Sequence, residues 1–400
     1  MYKIFYFKNK LFDFHIKMLF IDIKLYLGSF ISFISSLLKP YNYISLVRLC
    51  KKNYPNNILI TEINQIHSEI FPSWLFYLKK MNFKGEIIFL APGPIHKSRP
   101  FDLLSEEKNN GYFLYKIDAV IILLSFKFGL FNKYKKVIFN SDIFFKNPLD
   151  QNYSHILEIS SKNIIFKNTL FLSHLMNITM AMINRNQDLK QQFLTISESI
   201  ANNTKLQLFA PIYNDEAFKA QMTRDEFETQ KKVFVSCGNI KIAEKDSNSF
   251  LLALDNTKNL NKEVHVIGKA PQNIINSSDI NYYKGRISYT KLKSIMNKAQ
   301  FIVFLLNEEI SFRYKYSTSS GNLPLALNFN LIPIIEDGFA KFYNLNKSNA
   351  IIYNQGELHQ AIEYACQISY EEFCSLHAGI DIIKTNLITK TTNNFFKNLL

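Results

Sequence analysis

The sequence predicts an α/β fold in two domains. Short buried strands alternate with helical stretches along most of the chain, which is the pattern of a parallel sheet covered by helices on both faces. The chain has 400 residues, more than a single hydrophobic core normally serves. Because a polar, charged stretch at residues 211–231 separates two such series, we place the domain boundary there, between residues 215 and 216.

Composition and charge indicate which classes of partner the protein binds. Hydrophobic residues make up 47% of the chain, and the net charge of +14 favours an anionic partner such as a phosphate-bearing substrate or a lipid surface. Nucleic acid is not expected, because the sequence has no Arg-rich helix, no zinc-finger spacing and no RNA-binding aromatic motif. The 4 cysteines show no CxxC spacing, which fits a reducing cytoplasm.

Residues 1–56 form a separate N-terminal segment. Its uncharged run, Leu25–Leu38, is shorter than the roughly 20 apolar residues that span a membrane. We find no signal-peptide pattern either, so we expect a cytoplasmic protein. Two hypotheses remain for the run: a helix buried against the first domain, or an interfacial helix whose aromatic side chains enter lipid while its lysines meet anionic headgroups.

The first domain, residues 57–215, begins with a strand–helix–strand unit. Its predicted elements are Asn57–Glu62, Ser73–Met81 and Glu86–Leu90. Later predicted elements are strands at Ala119–Leu124, Lys136–Ser141 and within Ile164–His174, and a helical region at Met180–Asn202.

Polar side chains follow the first predicted strand, at the end where open α/β sheets bind their ligands. His67 and Glu69 are the only close histidine–carboxylate pair in such a position, so either could act as a general base. The alternative is that they cap the following helix and face solvent. His174 is a reserve candidate that suits a structural role better.

The second domain, residues 216–375, repeats the pattern. Its predicted elements are strands at Lys232–Ser236, Glu263–Ile267, Ile280–Tyr283, Gln300–Leu306 and Leu331–Ile335, with helices at Asn248–Leu254, Tyr289–Ala299 and Leu323–Phe329. Ser288 is the expected N-cap of the helix at Tyr289. Residues 376–400 are predicted to form a terminal helix that can cross back to the first domain.

One loop–helix–strand stretch of this domain suggests an anion site. Hydroxyl residues at 317–320 lead into Gly321 and a short apolar helix, for which Ser320 is the expected N-cap. A helix start offers N–H groups to an anion, and a glycine there lets the ligand approach the backbone. Arg313 and Lys315, just upstream, are possible counter-charges. The alternative is a capped helix that only packs on the sheet.

The order of these motifs resembles the donor-binding half of the GT-B glycosyltransferases. The residues that carry the resemblance are FVSCGNI (234–240), VHVIGK (264–269), YKGRISYTKLKSIMNKAQFIVFLL (283–306) and STSSGNLPLALNFNLIPII (317–335). The first domain is similar to a subset of bacterial GT-B enzymes that begin E-x-N-x-x-H-x-E-x-x-P, here Glu62, Asn64, His67, Glu69 and Pro72.

The resemblance covers about residues 57–365 and implies two Rossmann-like domains facing across a cleft. It implies a bacterial enzyme that moves a sugar from a nucleotide-diphosphate sugar, without a metal, to a glycan or lipid-linked acceptor in surface polysaccharide or lipopolysaccharide synthesis. His67 or Glu69 would then be the base. The donor would contact residues of the second domain: Gly238, Asn239, Lys269, Arg286, Arg313, Tyr316, Ser319, Ser320 and Gly321.

The sequence departs from the family in its donor loop. Many retaining GT-B enzymes carry two glutamates spaced E-x7-E there, whereas this chain has serine and glycine and no second glutamate. Retention or inversion of the sugar therefore stays open. The usual Arg–Lys pair for the diphosphate is not in its commonest positions either, and Lys269, Arg286 and Arg313 are the substitutes.

Three other hypotheses stay open. YKKVIFNSDIFFKNPLD (134–150) resembles the metal-binding Asp-x-Asp strand of GT-A glycosyltransferases, with Asn140 in place of the first Asp and Asp142 alone. Two α/β lobes also suit a non-catalytic glycan or nucleotide binder. The missing glutamate pair suits an inactive subunit of a glycan assembly complex.

Overall fold

A computed structural model describes residues 35–36, 39–51, 55–63, 67–104, 111–127, 129–140, 168–174, 179–180, 183–184, 187–217, 223–240, 246–309, 311, 313–316 and 320–396. These residues fall into two compact units. The first comprises the described parts of Met1–His67, Gly85–Lys97 and Tyr112–Phe171, and the second those of Ser68–Lys84, Ser98–Gly111 and Leu172–Leu400. Apart from residues 35–36, the apolar run Leu25–Leu38 lies outside the described residues.

The first seven strands form one sheet, in the order β3-β2-β1-β4-β5-β6-β7. They are β1 (Ile58–Thr61), β2 (Ile87–Ala91), β3 (Tyr112–Lys116), β4 (Lys136–Phe139), β5 (Thr169–Ser173), β6 (Phe193–Thr195) and β7 (Gln207–Leu208). In the first unit β1 lies between β2 and β4, with Leu59 opposite Ile88 on one side and Val137 on the other, and both pairings are parallel. This is the strand order of a doubly wound sheet: successive strands are added toward one edge from β1 to β3 and toward the other edge from β4 onward.

The helices of the first unit include α1 (Pro40–Lys51), α3 (Gly93–Ser98) and α4 (Ala119–Lys127). Asp118 joins two of them. Its backbone carbonyl accepts hydrogen bonds from the first turn of α4, and its carboxylate accepts from Lys39 at 2.7 Å and Tyr41 at 2.8 Å. The start of α1 is thereby fixed to the end of β3.

The prediction of a strand at Ala119–Leu124 is wrong, because these residues lie in α4. The run AVIILL is continuously apolar, so its periodicity cannot separate a strand from a buried helix. In the fold, the N–H groups of Ile121 and Ile122 donate to the Asp118 carbonyl and begin the helix. The strand β3 was not predicted, since its side chains are only partly buried and its sequence, YFLYK, lacks a clean alternation.

The second unit contains a six-stranded sheet in the order β10-β9-β8-β11-β12-β13. Its strands are β8 (Lys232–Cys237), β9 (Lys262–Gly268), β10 (Asn281–Lys284), β11 (Phe301–Val303), β12 (Ile332–Glu336) and β13 (Ile351–Tyr353), and every one of these pairings is parallel. The doubly wound order thus recurs, with its reversal between β8 and β11.

Helices of the second unit match most predictions. They are α2 (Phe71–Lys80), α5 (Glu198–Thr204), α6 (Arg224–Thr229), α7 (Ser247–Asn256), α8 (Gln272–Ile275), α9 (Tyr289–Met296), α10 (Arg313–Tyr316), α11 (Asn322–Phe329), α12 (Asp337–Ala340), α13 (Leu358–Gln367) and α14 (Tyr370–Thr391). The Ser288 cap of α9 is confirmed, because its Oγ accepts from the Lys291 N–H. The helical region predicted at Met180–Asn202 is largely wrong: it contains a 3-10 turn at Gln187–Gln192 and the buried strand β6 before Ser197 caps α5.

The terminal helix α14 binds several parts of the second unit together. Its Lys384 is 1% exposed and donates to the Glu216 carbonyl at 2.6 Å and to Asn330 Oδ1 at 2.5 Å. Just beyond the helix, the Phe396 ring stacks on Tyr77 of α2 at 5.2 Å between centroids. No helix among the described residues has the length and apolar character to cross a membrane.

A close main-chain approach in the second sheet involves Gly268, the last residue of β9. Its φ is +138°, and a Cβ built there would lie 2.0 Å from the Gly238 carbonyl oxygen. Since this neighbour is backbone, the clash cannot be relieved by a side-chain rotation. Only glycine fits at this position.

We predict that Gly268→Ala lowers the free energy of unfolding by about 2–4 kcal/mol, from the clash and the strained backbone. The matched control is Gly285→Ala, where φ is +69° but no atom lies within 4 Å of the built Cβ. It should cost only about 1 kcal/mol. Urea denaturation of both variants measures the difference, and equal losses would contradict the steric account.

Candidate functional site

Three adjacent strands of the second sheet end in the same way. Each of β8, β9 and β10 is closed by a glycine followed by a polar residue: Gly238-Asn239, Gly268-Lys269 and Gly285-Arg286. Main-chain hydrogen bonds connect these ends, from Gly238 N–H to the Ile267 carbonyl at 2.9 Å and from Gly285 N–H to the Gly268 carbonyl at 2.7 Å. We call these six residues the glycine rim.

The glycine rim lies at the carboxyl edge of the sheet, beside the reversal between β8 and β11, where doubly wound sheets bind ligands. Asn239 and Lys269 are exposed, and the Arg286 side chain is 40% exposed. Neighbouring strands lie about 4.8 Å apart, so a row of one amide and two cations faces solvent here. Such a row suits an extended anion.

Arg286 contacts Glu69, a residue from a distant part of the sequence. Glu69 lies in a 3-10 turn, Ser68–Ile70, within the same unit. Its Oε2 is 3.6 Å from Arg286 Nη2 and 3.5 Å from the Tyr289 hydroxyl, and Arg286 Nη2 donates to that hydroxyl at 3.2 Å. The structure therefore brings together two residues that the sequence singled out for different roles.

A buried phenol, Tyr213, feels the charge of Glu69. Tyr213 is 5% exposed, and its hydroxyl has no hydrogen-bond partner among the described residues. Burial raises the pKa of Tyr213 well above its ordinary value, and the charges of Tyr289 and Glu69 add to the effect. The phenol thus keeps its proton and remains a potential donor.

Asn328 of α11 holds the main chain around Tyr213, and the sequence analysis did not single it out. Its Oδ1 accepts from the Tyr213 N–H at 2.7 Å, and its Nδ2 donates to the carbonyls of Pro211 at 3.0 Å and Pro324 at 2.8 Å. Both ends of this buried amide are satisfied, so Asn328 couples α11 to the segment that carries Tyr213. The only sign of this role in the sequence is that a polar amide stands within an otherwise apolar predicted helix.

The start of α11 differs in detail from the prediction. Gly321, not Ser320, is the N-cap, although Ser320 Oγ still accepts from the Asn322 N–H at 3.3 Å. Pro324 has no N–H, so the first turn has fewer donors for an anion than expected. Gly321 is exposed, and a Cβ built there would meet no atom within 4 Å. A ligand could reach the main chain at this point.

The other donor-loop residues are partly described. Ser319 lies outside the described residues, and of Arg313 and Tyr316 only the backbone, at the two ends of α10, is described. Lys315 is engaged elsewhere: its ammonium contacts Glu308 and lies 4.9 Å from the centre of the Phe339 ring. As a counter-charge for an anion at α11, Lys315 would have to leave these partners.

His67 belongs to the first unit and follows β1. Its backbone is left-handed, with φ of 68°, and its carbonyl accepts from Asn140 Nδ2 at 2.8 Å. The same amide donates to Glu62 at 3.1 Å, so Asn140 ties together the carboxyl ends of β1 and β4. Asn64 and Asp142 lie outside the described residues, and His174 is buried with 6% exposure.

A second polar cluster, around Glu336 at the carboxyl edge of the second sheet, was not predicted from the sequence. Glu336, the last residue of β12, is 4% exposed and borders a cavity of about 10 Å³, room for about one water molecule, together with Asp246, Asn307 and Tyr353. Burial raises the pKa of Glu336 to about 7, and the negative charges of Glu308 and Asp246 contribute. A carboxylate directly after a buried strand was the available signal.

In the part of the chain that is described, no three His, Cys, Asp or Glu side chains are arranged to hold a metal.

Comparison with known proteins identifies the fold. No protein-family model and no curated protein matches the sequence. Among solved structures, Anabaena Alr3699/HepE in complex with UDP and glucose is 10% identical, with a TM-score of 0.50 over 86% of this chain and 99% of that chain. A glycosyltransferase from Rickettsia africae ESF-5 is 11% identical, with a TM-score of 0.50 over 87% and 98%.

Alr3699/HepE in complex with UDP is also similar, with a TM-score of 0.51, 10% identity, and coverage of 86% of this chain and 99% of that chain. These likenesses and the two parallel sheets show that the chain has the α/β fold of GT-B glycosyltransferases. The predicted fold class is confirmed. The GT-A hypothesis built on Asp142 leaves the second, six-stranded sheet unexplained.

We predict that stability falls as pH rises through the titration of Glu336. Its folded-state pKa of about 7 lies above the ordinary value of 4.5, so the folded protein holds a proton that the unfolded chain has already lost between these values. Relative to Glu336→Gln, the wild type should therefore lose up to about 3 kcal/mol between pH 4.5 and 7.

Urea denaturation at pH 5 and pH 8 measures this difference. Glu371→Gln is the control, because the Glu371 side chain is 61% exposed. This substitution should change the free energy of unfolding equally at pH 5 and pH 8. An identical stability gap between the wild type and Glu336→Gln at the two pH values would contradict the prediction.

Proposed function

We propose that the protein is a glycosyltransferase that moves a sugar from a nucleoside-diphosphate sugar to a glycan or lipid-linked acceptor. The glycine rim carries the proposal. It sets an amide and two cations at adjacent strand ends, at the edge where this fold binds ligands. Proteins of the same fold, such as Alr3699/HepE, have been solved with UDP, and we extend that ligand class to this chain.

Sugar transfer requires that the leaving diphosphate be stabilised. The acceptor oxygen forms a bond to the anomeric carbon while the bond from that carbon to the phosphate oxygen breaks, and negative charge builds on the diphosphate. Lys269 and Arg286 would balance this charge, with the exposed backbone at Gly321 beside Ser320 and Arg313 as a further contact. Asn239 and Tyr316 would contact the nucleoside. No metal is needed for this arrangement.

The acceptor hydroxyl must also lose its proton. Glu69 is our first choice for the base, because its carboxylate lies beside Arg286, a proposed diphosphate contact. His67 is the second choice. The sequence contains no E-x7-E pair in the donor loop, so we make no assignment of stereochemistry.

We further propose that the acceptor belongs to bacterial surface polysaccharide or lipopolysaccharide synthesis, at the inner face of the cytoplasmic membrane. The net charge of +14 suits contact with anionic lipid. On α1, which contains no acidic residue, Tyr43 is 69% exposed and Ile44 is 48% exposed, and apolar side chains of this kind can enter a membrane interface.

We predict that Gly321→Asp lowers affinity for UDP at least tenfold, because it adds a negative charge and bulk at the proposed anion contact. The open space at this position should let the variant fold, which circular dichroism checks. Gly321→Ala is the control and should bind UDP nearly as the wild type does. Isothermal titration calorimetry gives the affinities, and unchanged binding by Gly321→Asp would remove Gly321 from the site.

We predict that substitution of the catalytic base abolishes sugar transfer but leaves donor binding intact. Glu69→Ala and His67→Ala should both bind UDP as the wild type does. With a bacterial lipid extract as the source of acceptor, one of the two variants should release UDP from the UDP-sugar about 10²–10⁴ times more slowly than the wild type. Leu252→Ser, whose side chain is 61% exposed on α7, serves as a folded control for the extract. Full activity in both variants would reject both candidates.

A further inference from the structure

A buried tyrosine of the second unit, Tyr343, joins helix α10 to the start of helix α11. Its hydroxyl accepts a hydrogen bond from the Ser320 N–H at 3.2 Å and donates one to the Tyr314 carbonyl at 3.2 Å. Because an N–H group only donates and a carbonyl only accepts, the direction of both bonds is unambiguous. We propose that Tyr343 is a positioning residue for the nucleoside-diphosphate donor.

Each of the two bonds lies one residue away from a proposed donor contact. Tyr314 follows Arg313, and Ser320 precedes Gly321. The proposed function takes Arg313 and the main chain at Gly321 as contacts of the diphosphate, and the role of Tyr343 rests on it. A single hydroxyl would then fix the spacing of two contacts that act on one ligand. Contacts that are fixed in advance lower the conformational entropy lost on binding.

The hydrophobic core of the second sheet holds Tyr343 in place. Tyr343 is 6% exposed and packs in the same core as Phe339 and Leu345. Its ring centre lies 6.0 Å from that of Phe304, which directly follows β11. Burial raises the pKa of Tyr343 above its ordinary value, so the phenol keeps its proton and can donate to the Tyr314 carbonyl. Both the position and the protonation of the hydroxyl are therefore fixed.

The main-chain hydrogen bonds at the start of α11 show which donor remains for the ligand. Tyr343 takes the Ser320 N–H. The Asn322 N–H donates to Ser320 Oγ at 3.3 Å, and the Leu323 N–H donates to the Ser320 carbonyl at 3.4 Å. The N–H of the exposed Gly321 has no hydrogen-bond partner among the described residues. It is the group of this turn that can donate to a phosphate oxygen.

Gly321 needs support from its neighbours because glycine has the most permissive backbone of all residues. On the helix side, Asn322 is 2% exposed and its Nδ2 donates to the Val303 carbonyl of β11 at 3.3 Å. On the other side, Ser320 is 3% exposed and its N–H is held by Tyr343. The direction of the Gly321 N–H therefore depends on Tyr343 as well as on the sheet.

The test is calorimetric titration of UDP and of uridine into the full-length protein and its variants. Tyr343→Phe keeps the buried ring and loses both hydrogen bonds, so it should bind UDP about five to twenty times more weakly. Its affinity for uridine, which carries no phosphate, should stay unchanged. Its melting temperature should fall, because the Ser320 N–H and the Tyr314 carbonyl lose this partner.

Thr391→Val is the structural control. Thr391 of α14 is 0% exposed, and its Oγ1 accepts from the Ala210 N–H at 3.1 Å. This variant also loses a buried hydrogen bond to the main chain and should melt at a lower temperature, but its UDP affinity should match that of the wild type. Unchanged UDP binding by Tyr343→Phe, or a loss that uridine shares equally, would overturn the positioning role.

A second variant tests the donor that Tyr343 places. The φ of Gly321 is −64°, which proline adopts, so Gly321→Pro removes the N–H group while it keeps this φ. It should bind UDP about 10–100 times more weakly, whereas Gly321→Ala keeps the N–H group and should bind nearly as the wild type does. Equal UDP binding by these two variants would overturn the placement of the Gly321 N–H. Absence of UDP binding by the wild type would instead overturn the proposed function.

Discussion

The second unit depends on the close main-chain approach of β8 and β9 at their carboxyl ends. A Cβ at Gly268 would lie 2.0 Å from the Gly238 carbonyl oxygen, so the two strands can end together only if this residue is glycine. The same glycine accepts a hydrogen bond from the Gly285 N–H and so aligns β10 with them. Because each glycine precedes a polar residue, the constraint that packs the sheet also arranges its ligand-facing edge.

Stability and function share residues in a second place. Asn328 uses both ends of its amide to hold the segment around Tyr213 against α11, and Lys384 of α14 fixes the end of the same segment and the C-cap of α11. These buried polar contacts specify the position of Tyr213, whose hydroxyl has no described partner.

Most strands and helices could be predicted, because buried runs and caps such as Ser288 leave strong local signals. The failures have identifiable physical causes. AVIILL at residues 119–124 is continuously apolar, so its periodicity cannot separate a strand from a buried helix. The contact between Glu69 and Arg286 joins residues far apart in sequence, and the burial of Glu336 depends on its neighbours in the fold. No pattern of residue types records either one.

The glycine rim is the surface that we propose binds a nucleoside diphosphate. The most direct measurement is a thermal-shift panel with UDP, GDP, ADP and CMP, each with and without EDTA and Mn²⁺. A ligand that binds only the folded protein raises its melting temperature. We expect one nucleoside diphosphate to stabilise the wild type equally with and without EDTA, and to stabilise Lys269→Ala much less. Stabilisation by no nucleotide, or the same stabilisation in Lys269→Ala, would contradict it.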